Sequence, residues 1–269
     1  MGVIIWHKAG LAGSALAAKP RHRFHNEFTF SNPSPPTPKV EFYMSMISFR
    51  QASVSVALMT VIGASQALTL NTTALNANST QAFSQGAVDA FGLYATTVEA
   101  AGTTTDAGNY TFVLPVTKVV IGSNLKPTSG EASGAALKFL RTDSRGVQRA
   151  LYLANFRIDY TAKQVLADRT LVDLTNTSVT ENIVVYDFET QETLALKYKF
   201  PLTISLNEKL SPLKLSTTAI ESFILGLRLP NGALVRASLP TVDFGTLQQV
   251  IAVTLRSPKV SDKPFVAPQ

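Results

Sequence analysis

The most regular alternation of apolar and polar residues in this chain runs through residues 135–171. Its centre, Val147–Tyr160, is the longest strand-like run in the sequence. The polar turn Asp143–Gly146 precedes this run, and the short break Thr161–Lys163 separates it from a further alternating run, Val165–Leu171. The pattern predicts an antiparallel meander in which a long central strand lies between two neighbours.

Strict alternation divides the central run into two faces, because successive side chains of a strand point in opposite directions. One face holds Ala150, Tyr152, Ala154, Phe156, Ile158 and Tyr160; the other holds Val147, Leu151 and Leu153 with the polar residues Arg149, Asn155, Arg157 and Asp159. The first face is almost wholly apolar, and the second is apolar only in its middle. This pattern is typical of a central strand that is fully covered on one side and partly covered on the other.

Shorter alternating runs predict strands on both sides of the meander. They are Leu68–Leu75, Leu93–Val98, Tyr110–Leu114, Thr117–Ile121, Ile183–Phe188, Leu194–Phe200, Leu202–Leu206, Leu213–Leu215 and Ala233–Leu239, while Thr246–Leu255 fits a strand or a short helix. Polar or glycine-containing stretches predict loops at Ala101–Asn109 and Asn124–Gly134 and a polar link at Asn176–Asn182. The segment from Ser257 onward predicts a loose tail.

Two stretches have the spacing of short helices that bury one apolar stripe. In the first, a cap at Asn78–Thr80 is followed by Phe83, Ala87, Val88 and Phe91; in the second, Ser216 or Thr217 caps Ala219, Ile220, Phe223, Ile224 and Leu227. The elements together predict a mainly β protein, an antiparallel β-sandwich with one or two short helices.

The sequence also contains a short internal echo. Leu68–Ala74 and Leu213–Ala219 share the pattern Leu-X-Leu-(Asn/Ser)-Thr-Thr-Ala, and each is followed by a predicted helix and strand. A repeated unit that covers the ends of a sandwich and a coincidence both fit this match.

Residues 1–43 differ in composition from the rest of the chain. They contain the basic tract Lys19–Arg23, the Pro/Ser-rich stretch Asn32–Pro38, and all three histidines of the protein. A basic arm or a metal-binding tract is one interpretation. The alternative, which we favour, is a disordered extension or an N-terminus assigned too far upstream.

Residues 44–67 have the parts of a secretory signal peptide. Arg50 supplies a positive charge, Val54–Gly63 is a short apolar core, and Ser65–Ala67 places small residues at a cleavage site. The core is shorter than the ~20 residues that span a bilayer. We therefore expect cleavage after Ala67, a secreted or periplasmic location, and a single β-rich domain over residues 68–269 with no transmembrane span.

Charge and cysteine content narrow the classes of function. The net charge is +6, but residues 1–67 hold six Lys/Arg and two Asp/Glu, whereas residues 68–269 hold 18 and 16. A nearly neutral domain argues against nucleic acid, which requires a clustered basic surface. The chain has no cysteine, which excludes disulfides and thiolate metal sites. An exported chain without cysteine fits a bacterial envelope.

Residues 68–269 also lack histidine, so the commonest general base and nucleophile pairs are missing. Val242–Gly245 contains the Asp-Phe-Gly tripeptide of kinases, but no phosphate loop or catalytic loop accompanies it. These observations predict a protein that is not an enzyme, with no catalytic residue, metal ligand or cofactor assigned.

The densest acidic group consists of Asp187, Glu189 and Glu192. Several carboxylates at one point could bind calcium, or two of them could form the acid pair of a glycoside hydrolase. The favoured interpretation is a solvated strand end and turn.

The strand–Thr/Ser–Ala–helix units, Asn155–Asp159 after a leucine-rich strand, and Pro201–Thr203 leading into Leu213–Leu227 resemble bacterial secreted β-rich proteins that are distantly similar to HtaA-type domains of cell-envelope haem proteins. The resemblance implies a β-rich fold and haem binding through a tyrosine supported by a histidine. Residues 68–269 have no histidine, and the resemblance assigns no tyrosine as the ligand.

The expected function is therefore that of an exported, non-catalytic protein of the bacterial cell envelope or exterior, with a binding or structural role and an unknown envelope or extracellular partner. A haem or small-ligand binding module and a glycan-active hydrolase are the alternatives.

Overall fold

The computed structural model of the protein describes residues 67–124, 126–173, 177–192, 197–199 and 203–268. The predicted extension, the predicted signal peptide except Ala67, and most of the predicted strand Leu194–Phe200 lie outside these residues.

Most of the described residues are in strands joined by short turns. The strands are β1 (Leu68–Asn71), β2 (Leu75–Ala82), β3 (Thr96–Gly102), β4 (Thr105–Gly108), β5 (Thr111–Pro115), β6 (Lys118–Ile121), β7 (Pro127–Thr142), β8 (Gln148–Asp159), β9 (Gln164–Val172), β10 (Thr177–Glu192), β11 (Lys197–Lys199), β12 (Thr203–Leu215) and β13 (Thr246–Leu255). The helices are α1 (Gln85–Leu93), α2 (Thr217–Gly226) and α3 (Gly232–Ser238), and the 3₁₀ turn Leu239–Thr241 follows α3. The prediction of a mainly β fold is confirmed.

The described strands form one antiparallel sheet in the order β1-β6-β7-β8-β9-β10-β12-β13-β2-β5-β4, with β3 paired to β7 and β11 paired to β12. A sandwich needs two facing sheets, so the predicted β-sandwich is not confirmed. The predicted meander is confirmed, because β7, β8 and β9 pair in sequence with turns between them.

The sheet curls because one extended segment, residues 111–121, pairs with strands that lie far apart in the strand order. In its first half, β5 pairs with β2, and the Val116 amide donates to the Ala77 carbonyl. The next amide, that of Thr117, donates to the Glu131 carbonyl, and β6 then pairs with β7. The segment therefore brings both sides of the sheet together, and the result is a half-barrel with an inner face.

The inner face and the helices enclose the main apolar core. Phe139 of β7 lies at its centre, with ring centroids 5.9 Å from Phe91 of α1 and 4.8 Å from Phe223 of α2. Both helices thus cover the same part of the inner face. Aromatic contacts of this kind contribute about 0.5–1.5 kcal/mol each beyond the area they bury.

The two helices begin and end in similar ways. Ser84 caps α1 by accepting from the Ala87 amide, and Ser216 caps α2 by accepting from the Ala219 amide. At the other ends, the Arg141 guanidinium donates to the carbonyls of Tyr94 after α1 and of Leu227 and Arg228 after α2. One cation therefore satisfies carbonyls that both helices leave without an intrahelical donor.

The cap of α2 was predicted, but the cap of α1 was placed wrongly. Asn78–Thr80 lies inside β2, where it pairs with β5 and β13, and the helix begins after Ser84. The internal echo is not a structural repeat, because Leu68–Ala74 forms β1 and a turn before β2, whereas Leu213–Ala219 ends β12 and begins α2.

Three predicted links are strands instead. Ala101–Asn109 contains the end of β3 and all of β4, Asn124–Gly134 contains the start of β7, and Asn176–Asn182 contains the start of β10. Most of their side chains are small or polar, and the pairing of their backbones with neighbouring strands determines their conformation.

The predicted strand Ala233–Leu239 is also wrong, because the segment forms α3. The predicted turn at Pro230–Gly232 is present, with Asn231 in the left-handed region at φ 52°. The Asn231 carbonyl accepts from the amides of Leu234 and Val235, which starts a helix rather than a strand.

A β-bulge overturns the strict alternation predicted for the central strand. Asn155 has φ 54°, and Asn155 and Phe156 together lie opposite the single residue Ala167 of β9. Leu151 and Leu153 before the bulge, and Phe156 and Ile158 after it, therefore all belong to the main core. Strict alternation predicts the pair before the bulge and the pair after it on opposite faces of the strand.

Asn155 also holds the C-terminal tail, which was predicted to be loose. Its Oδ1 accepts from the amides of Gly134 (3.0 Å) and Phe265 (2.7 Å). Its Nδ2 donates to Asp168 Oδ2 (2.9 Å) and to the Phe265 carbonyl (3.2 Å). The Phe265 ring lies 5.8 Å from the Tyr152 ring. The tail is irregular but docked on the outer face.

Gly134 permits this docking through its backbone. It has φ 80°, and a Cβ at this position would lie 2.9 Å from the Lys263 carbonyl oxygen. The lack of a side chain lets the tail approach the sheet closely.

We expect Asn155→Asp to destabilise the protein by roughly 3 kcal/mol, since an unmade buried hydrogen bond costs about 1–3 kcal/mol and more for charged groups. Aspartate tolerates the left-handed backbone, so the loss comes from replacing the Nδ2 donor with an oxygen that faces Asp168 and the Phe265 carbonyl. Urea unfolding followed by circular dichroism measures the change.

The matched control is Asn231→Asp, because Asn231 has a similar φ, is exposed and makes no side-chain cap. It should change the free energy of unfolding by less than about 0.5 kcal/mol. Equal losses in the two variants would show that the backbone, and not the four hydrogen bonds, makes Asn155 important.

Candidate functional site

A row of polar side chains crosses the inner face of the curled sheet. Ser79 of β2 pairs with Gln249 of β13, and Gln249 pairs with Glu208 of β12. All three are buried, with 5%, 3% and 2% of their surface exposed. Because cross-strand partners lie side by side on the same face, these residues form a continuous polar row.

Apolar residues lie on both sides of this row. The neighbouring pairs toward the helices include Leu210 and Leu247, which belong to the main core. On the other side lie Ala77, Val116 and Ile251, which belong to a smaller apolar cluster. The polar row therefore lies inside the protein and not at its rim.

Tyr160 joins the row from the opposite wall. The Gln249 amide nitrogen donates to the Tyr160 hydroxyl over 2.7 Å, and the Glu208 carboxylate lies near enough to that hydroxyl for each group to affect the pKa of the other. Tyr160 follows directly after β8, so the Gln249–Tyr160 hydrogen bond connects the two walls of the curled sheet.

Two polar atoms of the row have no hydrogen-bond partner: Ser79 Oγ and Glu208 Oε2. Leaving a buried polar atom unpaired costs about 1–3 kcal/mol, and native proteins contain few such atoms. Ser79 lines a cavity of the inner face, whereas Glu208 lies one strand beyond Gln249 and does not line it.

A cavity lies in front of Ser79 and Gln249. Its other wall includes Gly130 and Ala132 of β7 with Phe156 of β8. A Cβ on Gly130 would lie 3.9 Å from Gln249 Oε1, so the missing side chain leaves this space open. The empty volume is about 440 Å³ including the open mouth. A water-sized sphere can enter only a small part of this volume, with room for about one water molecule.

The buried acids of the row have shifted pKa values. Burial raises the pKa of the Glu208 carboxyl, and the hydrogen bond from Tyr160 opposes this rise in part. Burial, followed by the charge of Glu208, raises the pKa of the Tyr160 hydroxyl well above its usual value. The shifts favour the neutral form of both side chains. Burial alone raises the pKa of Tyr186, which lines the cavity.

The acidic group proposed from the sequence lies elsewhere. Asp187 and Glu189 are exposed on β10, and Asp187 accepts a hydrogen bond from the Gln164 side chain. The backbone of Glu192 pairs with Lys209, but its side chain lies outside the described residues. Within the described part of the chain, no three histidine or acidic side chains are placed to hold a metal ion.

Sequence reasoning missed the polar row, although a signal was present. Glu208 and Gln249 occupy inward positions in apolar strands, between residues such as Leu210, Leu247 and Ile251. A charged or amide side chain at the apolar phase of a strand is the pattern that indicates it. Ser79 gives no such signal, because the sequence Asn78–Thr80 also fits a helix cap.

No family model, no curated protein and no solved structure matches this chain. Among the described helices, none has the length and apolar character needed to cross a membrane.

We expect Glu208→Gln to remove part of the pH dependence of stability. A raised folded-state pKa means that the folded protein binds the proton more tightly than the unfolded chain, so stability falls as pH rises. The fall begins near the ordinary glutamate value of 4.5 and ends above the raised pKa. Wild type should therefore lose stability relative to Glu208→Gln as the pH rises from below 4.5 through the raised pKa, as measured by urea unfolding at each pH.

Glu189→Gln makes the same change at an exposed strand position and serves as the control. Its curve of stability against pH should run parallel to that of wild type. If Glu208→Gln also runs parallel, the buried carboxyl does not contribute in the way described here.

Proposed function

We propose that this protein is an exported, non-catalytic binding protein that holds a small, mostly apolar ligand inside its curled sheet. The observation that carries the proposal is the buried Ser79 hydroxyl, which faces the cavity without a partner. Ligand sites are typically apolar concave surfaces with a few polar groups that fix orientation. The inner face has this composition, with Phe156, Ile158 and Leu247 around a short polar row.

The proposed ligand is slender. The cavity has room for about one water molecule, so any ligand requires the walls to separate, and a planar macrocycle such as haem requires a wider separation than a single chain does. The raised pKa of Tyr160 also disfavours the phenolate that a metal-ligating tyrosine provides. Both observations favour a single-chain apolar ligand over the haem alternative.

The non-catalytic role is supported by the chemistry at the site. Residues 68–269 contain no histidine or cysteine, so the commonest general base and nucleophile pairs are missing. The glycan-hydrolase alternative rested on Asp187, Glu189 and Glu192; the first two lie on an exposed strand face, apart from the cavity.

A variant series at Gly130 tests the site. An uncharged fluorophore that brightens in apolar surroundings, N-phenyl-1-naphthylamine, should bind wild type with saturation. Gly130→Ala adds a Cβ at ordinary contact distance from Gln249 and should weaken binding modestly. Gly130→Val should weaken it by roughly tenfold or more, because a filled cavity leaves no room for the probe.

The control is Ser178→Val, which places the same side chain on an exposed strand position of β10. It should bind the probe as wild type does. Circular dichroism and urea unfolding show whether each variant is folded. Wild type that does not bind, or folded Gly130→Val that binds as tightly as wild type, contradicts this location of the site.

Export is the second part of the proposal, and it rests on the charged, apolar and small-residue segments of residues 44–67. Protein recovered from the exterior or periplasm of fractionated source cells should begin at Leu68 by N-terminal sequencing. Recovery of cytoplasmic protein that retains residues 44–67 would contradict export without affecting the cavity.

A further inference from the structure

The charges around the cavity restrict the head group of its ligand, an inference that rests on the binding function proposed above. Among the described residues that line the cavity, no lysine or arginine is present. The one lining carboxylate, Glu131, is paired with Lys118 over 2.7 Å. Glu208 lies behind the lining, one strand beyond Gln249, with an oxygen that has no partner.

An anionic head group would therefore enter this space without a counter-charge. Moving an unpaired carboxylate or phosphate from water into an apolar environment is strongly unfavourable. The Glu208 carboxylate, behind the Gln249 side chain, would also repel an anionic head group whenever Glu208 is ionised. Ligands such as fatty acids are disfavoured at this position for both reasons.

A cationic head group is also disfavoured in this cavity. Glu208 does not line the cavity and lies one strand beyond Gln249, which does. An ammonium group in front of Ser79 would lose its hydration without reaching the carboxylate, and it would gain only neutral acceptors.

Neutral groups fit the available partners. The Ser79 hydroxyl can both donate and accept, and the Gln249 side-chain oxygen that faces Gly130 can accept. A hydroxyl or primary amide can donate to one of these groups and accept from the other. Hydrogen bonding of this kind satisfies the orphan Ser79 oxygen without burying a charge.

We infer that the cavity selects a ligand with an unbranched apolar chain and an uncharged hydrogen-bonding head, an alcohol or a primary amide, held by Ser79 and Gln249. Ser79 is then the residue that determines specificity.

Displacement of N-phenyl-1-naphthylamine by four compounds of equal chain length tests this inference at pH 7.5. They are 1-octanol, octanamide, octanoate and octylamine. The alcohol and the amide should displace the probe at concentrations at least about tenfold lower than the two charged compounds, since tenfold corresponds to about 1.4 kcal/mol.

A variant of Ser79 tests whether this residue holds the head group of the ligand. Ser79→Ala should weaken octanol by about three- to tenfold while probe binding stays within twofold, because one neutral hydrogen bond contributes about 0.5–1.5 kcal/mol. Ser178→Ala, at an exposed serine, is its control.

The outcomes separate this inference from the proposed function. If octanoate or octylamine displaces the probe as well as octanol does, the head-group inference is overturned and the apolar site stands. If Ser79→Ala leaves octanol unchanged, the head lies elsewhere and the inference also fails. If the probe is displaced by none of the four, or never binds, the proposed function fails with it.

Discussion

The left-handed backbone of Asn155 is the constraint on which the rest of the structure depends. A single residue with φ 54° shifts the phase of β8, so that Leu151 and Leu153 on one side and Phe156 and Ile158 on the other all face inward. Without the shift, the second pair would face outward, since a one-residue slip reverses every side chain of a strand. Asparagine suits this position because its short polar side chain tolerates the left-handed region and bonds locally.

The side chain of Asn155 joins β8 to three other parts of the chain. It bonds to β7 at Gly134, to β9 at Asp168 and to the tail at Phe265. Asp168 in turn accepts from Arg157 and from the amide of Asn182, where β10 has its own bulge. The bulges of β7, β8 and β10 are therefore adjacent, and the strands bend together. Bulges bend and twist a sheet locally, which is what a curled sheet requires.

Much of the fold follows from the sequence, because long apolar alternation determines strands and an apolar stripe after a serine determines a helix. The meander and α2 were predicted on this basis. What failed depends on contacts between distant residues. A pattern within β8 cannot show that Asn155 will bond to a tail more than a hundred positions later. The segments 101–109 and 124–134 have weak patterns of their own, and their partners make them strands. In α3, only Val235 is buried, so the apolar period that distinguishes helix from strand is missing.

The candidate site shows the same division between local and distant information. Glu208 and Gln249 break the apolar phase of their strands, and the sequence alone makes this visible. Their relation to Ser79 and Tyr160 depends on strand order, which pairs β2 with β13 and β13 with β12. Once that order is known, the energetics point in one direction. Replacing Ser79 and Glu208 by apolar residues of similar shape would remove two unpaired atoms from the interior, and burial without such atoms is the more stable arrangement. A polar row that weakens the apolar interior, next to a wall opened by Gly130, fits the requirements of binding better than those of folding, since stability alone favours a filled and apolar interior.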